Sequence, residues 1–335
     1  MNRINEIFST PQEACAAVGA VYEDRLKAGK FVPLDDESKH RRNGDCRAYL
    51  FPDLTGGLIF SWRLDACALW FVGADVRKLT PIERFRLFER ARLSVAQADE
   101  ERRKEEERAA TVAEAVMLEA TPATECGHAY LKRKHVIPVA PLGVLDADRI
   151  NEIDRSLRPD APFRLWNPKR REPMRGPVLC VPYFLYGKTL SSVEFISEDG
   201  GKCSLKGGRM RGAYWVPDGL ADEVRARGRV AVAEGLATAL SVSQAAEIPC
   251  VSARSCSGLM STAESLRRRF RKAERFVCSD VGNGEKQARE AARATGAKIA
   301  KPDFEERLIE RFRALTGSND APTDFNDFYL ARGDI

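Results

Sequence analysis

From Arg229 to Asp303 the sequence alternates short apolar runs with helix-forming stretches: "RVAVAEG", "LATALSVSQAAE", "IPCVSA", "GLMSTAESLRRRFRKA", "RFVCSD", "EKQAREAARATG" and "AKIAKPD". A strand followed by a helix returns the chain to the same sheet running in the same direction, so this stretch is expected to form βαβ units around a parallel sheet. In such a sheet, ligands lie outside the carboxyl ends of the strands. The residues found there are Glu234 after "VAVA", Asp280 after "FVCS" and Asp303 after "KIAKP", with Asp324, Asn326 and Asp327 of "TDFNDF" close behind. Carboxylates gathered at one edge repel each other, and a divalent cation between them is the simplest relief. Oxygen donors without Cys or His favour Mg²⁺ or Mn²⁺ over zinc.

The turn after Asp280 carries Gly282 and Gly284, but Gln287 stands where a dinucleotide fingerprint needs its third glycine. An acid just before that turn would repel a pyrophosphate on the following helix unless a metal joined the two. Other catalytic patterns fail. "FLYGKT" ends like a phosphate-binding P-loop, yet Pro182 occupies the place of its first glycine, and "SCSG" around Ser257 lacks both the leading glycine of a nucleophile elbow and a nearby histidine.

Upstream, residues 1–95 read as a small α+β domain: a helical start, "PQEACAAVGAVYEDRLKAG", then strands with Gly56-Gly57 as a turn between them. Residues 96–122 read as a charged helical linker, part of a Gly- and Pro-free helical run from Pro81 to about residue 119. Residues 123–228 read as a β-rich basic subdomain, and 229–335 as the parallel α/β domain. The net charge of +5 is modest, but from Phe163 to Arg211 ten Lys/Arg face four acids, enough to neutralise phosphates. The nine cysteines are scattered, odd in number and never spaced C-x-x-C, so neither a disulfide framework nor a zinc ribbon is expected. With no apolar run of about 18 residues and no signal-peptide order at the start, a cytoplasmic protein without membrane contact is expected.

"VAVAEGLATALSV" resembles the first motif of a Toprim domain, in the E-G-x-A-T-A form of mobile-element primases: the TraC-type conjugative-plasmid primases and the alpha-protein primases of satellite phages. "VEFISEDGGKCSLKGGRMRGAYW" resembles the segment preceding Toprim in that family, "CSDVGNGEKQAREAA" its second motif and "PTDFNDFY" its closing stretch. "HAYLKRKHVIP" is similar to the short upstream helix written "YLxxRG" in DnaG-type primases. The resemblance covers about residues 125–332, and more loosely an N-terminal part with "FSWR" and "LWF" that lacks a zinc ribbon.

The resemblance implies a Toprim fold, Rossmann-like with a parallel sheet flanked by helices, and metal-dependent synthesis of short primers on single-stranded DNA from nucleoside triphosphates. A plasmid, integrative element or prophage would be the setting and a separate replicative helicase a further partner. Glu234 and Asp280 would be catalytic. Glu234, Asp280, Asp324 and Asp327 would hold Mg²⁺ or Mn²⁺, with Glu234 also able to act as general base. Lys202, Lys206, Arg209 and Arg211 would track the template, with Gly207 and Gly208 allowing close approach of phosphate. Gly235, Gly282 and Gly284 would shape the loops around the metal, and Trp166, Tyr214 and Trp215 are either base-stacking groups or core. The second motif is normally D-x-D, whereas here it reads Asp280-Val281-Gly282. That loss leaves two alternatives open: a degenerate Toprim protein that binds single-stranded DNA without turnover, and a Toprim nuclease.

Overall fold

The computed structural model describes residues 4–39, 43–61, 63–64, 66–73, 78–282, 284–317 and 319–335; Trp62 of "FSWR" lies outside them. The chain divides into two compact units between Lys104 and Glu105, inside the stretch read as a linker. All nine cysteines are unpaired, and among the described residues no helix is long and apolar enough to cross a membrane.

The first unit contains β1 (Ile4–Phe8), α1 (Pro11–Ala17), β2 (Phe31–Leu34), β3 (Cys46–Leu50), β4 (Gly56–Ser61) and β5 (Ala66–Phe71). These strands form one sheet in the order β1-β5-β4-β3-β2, with β1 parallel to β5 and the other pairs antiparallel. A capping box starts α1: the Glu13 amide donates to the Thr10 hydroxyl, the Glu13 carboxylate accepts from the Thr10 amide, and Pro11 opens the first turn. The helix expected to run on through "VYEDRLKAG" stops at Ala17. Gly19 takes φ +63°, and Ala20 and Ala28 form bridges to Asp36 and Leu50, so pairing with the sheet outweighs local helix propensity.

Gly56 and Gly57 are not a turn but the first residues of β4. The turn is at Asp53–Thr55, where the Asp53 carboxylate accepts from the Thr55 amide and hydroxyl at 3.1 and 2.7 Å. The glycines serve close strand approach: a Cβ at Gly57 would lie 2.3 Å from the Tyr49 carbonyl oxygen and 2.8 Å from the Trp70 ring.

Helix α2 (Pro81–Glu119) runs through the unit boundary. Thr80 and Glu83 cap its start through reciprocal hydrogen bonds. Ala91, Val95 and Ala98 are buried with Ile7, Phe51 and Leu69 in the first unit. Ala109, Val112, Ala113 and Val116 are buried in the second with Ile150, Val178 and Phe195. The helix therefore belongs to both cores, and residues 101–104 form its exposed middle.

The second unit continues with β6 (Thr121–Pro122), α3 (Ala123–Cys126), α4 (Ala129–Arg133), β7 (Gly143–Asp146), α5 (Ala147–Leu157), β8 (Trp166–Asn167), β9 (Glu172–Pro173), β10 (Pro177–Leu185), β11 (Thr189–Ile196), β12 (Lys202–Ser204) and β13 (Ala213–Tyr214). Its antiparallel sheet has the order β12-β11-β10-β7-β6, with β13 on β10. Then come α6 (Leu220–Arg227), β14 (Arg229–Ala233), α7 (Leu236–Ala245), β15 (Cys250–Ser252), α8 (Leu259–Arg269), β16 (Glu274–Cys278), α9 (Glu285–Thr295), β17 (Lys298–Ala300), α10 (Glu306–Thr316) and α11 (Phe325–Arg332). The second sheet, β15-β14-β16-β17, is parallel throughout.

Strand β14 is buried on both faces, with its residue sizes sorted by face. Ala231 and Ala233 join Leu236, Leu240, Leu179, Val181 and Tyr183 in a core common to the two sheets. Val230 and Val232 face the opposite core with Leu259, Leu266, Ala288 and Ala291. The parallel sheet and the antiparallel sheet thus close on one another through apolar contact.

Gly57→Ala is expected to destabilise the first unit by about 1–3 kcal/mol, because the strands on both sides must move to admit one methyl group. Urea unfolding measures this, and an unchanged midpoint would contradict the close-approach account.

Candidate active site

The parallel register sets the site. Val232 of β14 pairs with Val277 of β16, so Glu234 and Asp280, just beyond those strands, emerge on the same edge. Glu234 stands directly before Gly235, which opens α7 with no side-chain cap. Asp280 leads into a loop in which Gly282 and Gly284 have φ +87° and +89°, conformations that favour glycine. Gly284 also makes room for the acid across from it. A Cβ there would lie 3.0 Å from Glu234 Oε2 and 3.0 Å from Cys256 Cβ.

The closing segment is drawn in by backbone. The Val281 amide donates to the Thr323 carbonyl at 2.7 Å, bringing Asp324 beside Asp280. Asp324 caps α11 by accepting from the Asp327 amide at 2.9 Å. Asp327, buried, accepts from the Thr323 amide at 3.0 Å and lies 3.6 Å from Lys134 Nζ. Asn326, fully buried, donates to the Lys134 carbonyl and to Ser241 Oγ at 2.7 and 2.9 Å, tying α11 to α7 and to the end of α4.

Electrostatics show how closely the acids interact. Burial first, then Asp324, Glu234 and Asp327, push Asp280 up to about 7, with Lys134 opposing them. Burial also raises Glu234 and Asp327; Asp324 adds to both shifts. The Cys256 amide and the Lys202 charge partly stabilise the Glu234 carboxylate. Asp280 Oδ1 is buried with no hydrogen-bond partner. A buried oxygen of that kind needs a proton or a cation.

A cavity of about 440 Å³ opens over this edge, lined among others by Tyr130, Lys134, Lys169, Lys202, Thr238 and Asp324. It sets three lysines beside Asp324, the acid of the group that its lining includes. Lys202 also faces Glu194, a buried acid on β11 that lies 3.4 Å from Arg254, so this lysine sits between two carboxylates. Among the described residues, no three His, Cys, Asp or Glu side chains are close enough together to hold a metal ion unaided. The four acids are neighbours in an oxygen-rich site, not a closed cage, and further oxygen ligands would have to complete a metal's shell.

The other residues named from sequence fall elsewhere. Lys206, Arg209 and Arg211 are exposed along the segment between β12 and β13, outside the lining of this cavity. Gly207 and Gly208 also have reasons inside the fold to be glycine. A Cβ at Gly207 would meet Glu105 Oε1 at 2.6 Å and one at Gly208 would meet Ser192 Oγ at 2.2 Å, so both serve internal packing. Asp303 is exposed and is not among the charges that chiefly raise Asp280. Tyr214 and Trp215 are core, whereas Trp166 is exposed. Sequence reasoning missed Lys134, Lys169 and Glu194. Lys134 could have been found, since it stands in "YLKRKH" where the "YLxxRG" pattern has its arginine.

The pH dependence has a definite sign. An aspartate in an unfolded chain titrates near 3.9, and Asp280 in the folded protein near 7, so the folded state holds this proton more tightly. That contribution is complete below about pH 4 and is lost as pH rises through about 7. In EDTA, the thermal midpoint is expected to fall from about pH 5 to about pH 8, and Asp280→Asn to remove much of that fall. Identical slopes in the two proteins would contradict it.

Part of the chain matches known proteins. The Toprim domain family matches residues 229–334. The DNA primase TraC of Escherichia coli is 31% identical over 123 residues, which is 34% of this chain and 12% of that protein; the chain thus spans a small part of its relative's length. Among solved structures, the RNA polymerase domain of Mycobacterium tuberculosis primase DnaG is similar with a TM-score of 0.43 at 12% identity, over 68% of this chain and 80% of that one. The Aquifex aeolicus primase, with its zinc-binding and RNA polymerase domains, gives a TM-score of 0.41 at 11% identity, over 88% and 77%. Residues 229–334 are a Toprim domain, and over 123 residues the chain is similar in sequence to the DNA primase TraC.

Proposed function

We propose that the chain is a nucleotidyltransferase that synthesises short primers on single-stranded DNA from nucleoside triphosphates, in the service of a plasmid, integrative element or prophage and alongside a separate helicase. The observation that carries this reading is the cavity lined by Lys134, Lys169, Lys202 and Asp324, beside which the Lys134 charge acts on Asp280 and Asp327 and the Lys202 charge on Glu234. Acids alone would bind a cation, and lysines alone would bind an anion. Their juxtaposition suits a cation and a triphosphate held together, each supplying what the other's protein ligands lack.

The four acids would hold Mg²⁺ or Mn²⁺, and triphosphate oxygens would complete the shell that the protein leaves open. When bound, the metal supplies charge stabilisation for the attacking and leaving oxygens. The lysines neutralise the triphosphate and orient it with its α-phosphorus toward the 3′-hydroxyl. Glu234, whose carboxyl is raised by burial and by Asp324, accepts the hydroxyl proton as the new phosphodiester forms and pyrophosphate leaves.

Glu234→Gln is expected to reduce incorporation of labelled nucleotides on a single-stranded circle at least about a hundredfold, in Mg²⁺ and in Mn²⁺, with binding to the circle retained. Extension products on a denaturing gel support the primase reading. Shortened strands would instead identify a nuclease, and binding without products a non-catalytic protein. At Gly282 a Cβ would have no atom within 4 Å, so Gly282→Asp costs mainly left-handed backbone strain, about 1–2 kcal/mol. That variant is expected to lower the Mg²⁺ concentration giving half-maximal incorporation; an unchanged requirement would show that the missing second acid does not limit metal binding.

A further inference from the structure

Away from the acids, the end of α8 and the chain that follows it carry Arg267, Arg268, Arg269, Arg271, Lys272 and Arg275. Part of this charge is structural. Arg275 donates to the carbonyls of Phe270, Arg271 and Ala273, and Arg269 lies over the Phe270 ring and donates to the Gly187 carbonyl. The rest is uncommitted: Arg268 has only a 3.9 Å contact with Glu264, and among the described residues Lys188, Arg271 and Lys272 have no acidic partner. Two concavities meet at Arg268. One, of about 390 Å³, is lined by Arg267, Arg268, Arg271 and Arg275. The other, of about 550 Å³, is lined by Tyr186, Lys188, Ser265, Arg268 and Arg269.

Tyr186 is the unusual element. It sits at the tip of the β10–β11 hairpin with φ +52°, followed by Gly187 at φ +69°. The Lys188 amide closes a β-turn on the Leu185 carbonyl at 3.0 Å within a three-residue loop; a β-turn whose two central residues are left-handed favours Asn-Gly, and an aromatic there carries backbone strain. Its ring is nevertheless 52% exposed, at the mouth of the basic trough. Its amide donates to the Gly212 carbonyl at 3.1 Å and one side of its ring lies near Gly212, while the other side stays open to solvent.

We infer that this trough is a second binding surface, taking a single-stranded nucleic acid with a base stacked on Tyr186 and its phosphates on Lys188, Arg268 and Arg271. A flat ring beside a row of cations suits a strand whose bases are unpaired. The surface is separate from the acidic site, because β16 runs between them: it begins at Glu274, just after Lys272, and ends just before Asp280, about 16 Å of extended chain. Asp218 and Asp222 line the adjoining concavity beyond Lys188 and end the path on that side.

The test uses the full chain in EDTA, with fluorescence anisotropy of labelled dT30 over a range of salt. Arg268→Gln with Arg271→Gln is expected to lower the salt slope by about 1.4, two phosphate contacts at roughly 0.7 each. Tyr186→Asn is expected to weaken binding about tenfold while leaving the thermal midpoint equal or higher, since Asn suits the turn; Tyr186→Phe keeps the affinity. Glu234→Gln leaves all of these values unchanged, so this surface and the proposed catalysis fail separately. An unchanged affinity and slope in the arginine variant would overturn the inference. So would displacement of dT30 by poly-glutamate at equal charge, which would indicate an acidic protein as the partner.

Discussion

Four carboxylates held at one edge of a sheet repel each other, and the rest of the second unit has to withstand that repulsion. The backbone gives them no latitude. Glu234 and Asp280 are fixed by the pairing of β14 with β16, and Asp324 is brought alongside by the bond from Val281 to Thr323. Each raised carboxyl costs a few kcal/mol at most. Burying a single Val or Leu side chain returns about 1.5–3 kcal/mol, and the cores on the two sides of β14 contain many. Packing therefore wins by a wide margin, and a strongly destabilised edge can persist in a stable fold.

The cations that answer this edge come from distant parts of the chain. Lys134 follows α4, Lys169 lies in the turn between β8 and β9, and Lys202 starts β12. What unites them is the meeting of the antiparallel and parallel sheets, where Asn326 binds the Lys134 backbone and α7 packs against β10 residues. Lys202 has a double role, lowering the cost of charge on both Glu194 and Glu234.

How much could be read beforehand follows from the range of the interactions involved. The alternation from Arg229 to Asp303 is a local signal, and each strand and helix placed there formed, whereas α10 and α11 beyond it were not placed. Reading the strand ends also brought Glu234 and Asp280 together, because parallel register puts the ends of neighbouring strands on one edge. The errors came from contacts distant in sequence. Nothing near Gly56 and Gly57 shows that Trp70 and Tyr49 will press on them. The helix begun at Pro11 was read too long because the bridges to Asp36 and Leu50 are invisible locally. Lys169 and Glu194 acquire meaning only when two sheets meet, whereas Lys134 was legible from its place in "YLKRKH".

The apolar seam joining the two sheets bears on how such a chain can be rearranged. The stretch beginning at Arg229 looks like a self-contained cassette, yet Ala233, Leu236 and Leu240 rest against Leu179, Val181 and Tyr183. Recombination that spliced this cassette onto an unrelated neighbour would leave that greasy flank bare. In this chain the two sheets therefore depend on each other, and residues 229–334 cut out alone are expected to expose Ala233, Leu236 and Leu240 to water.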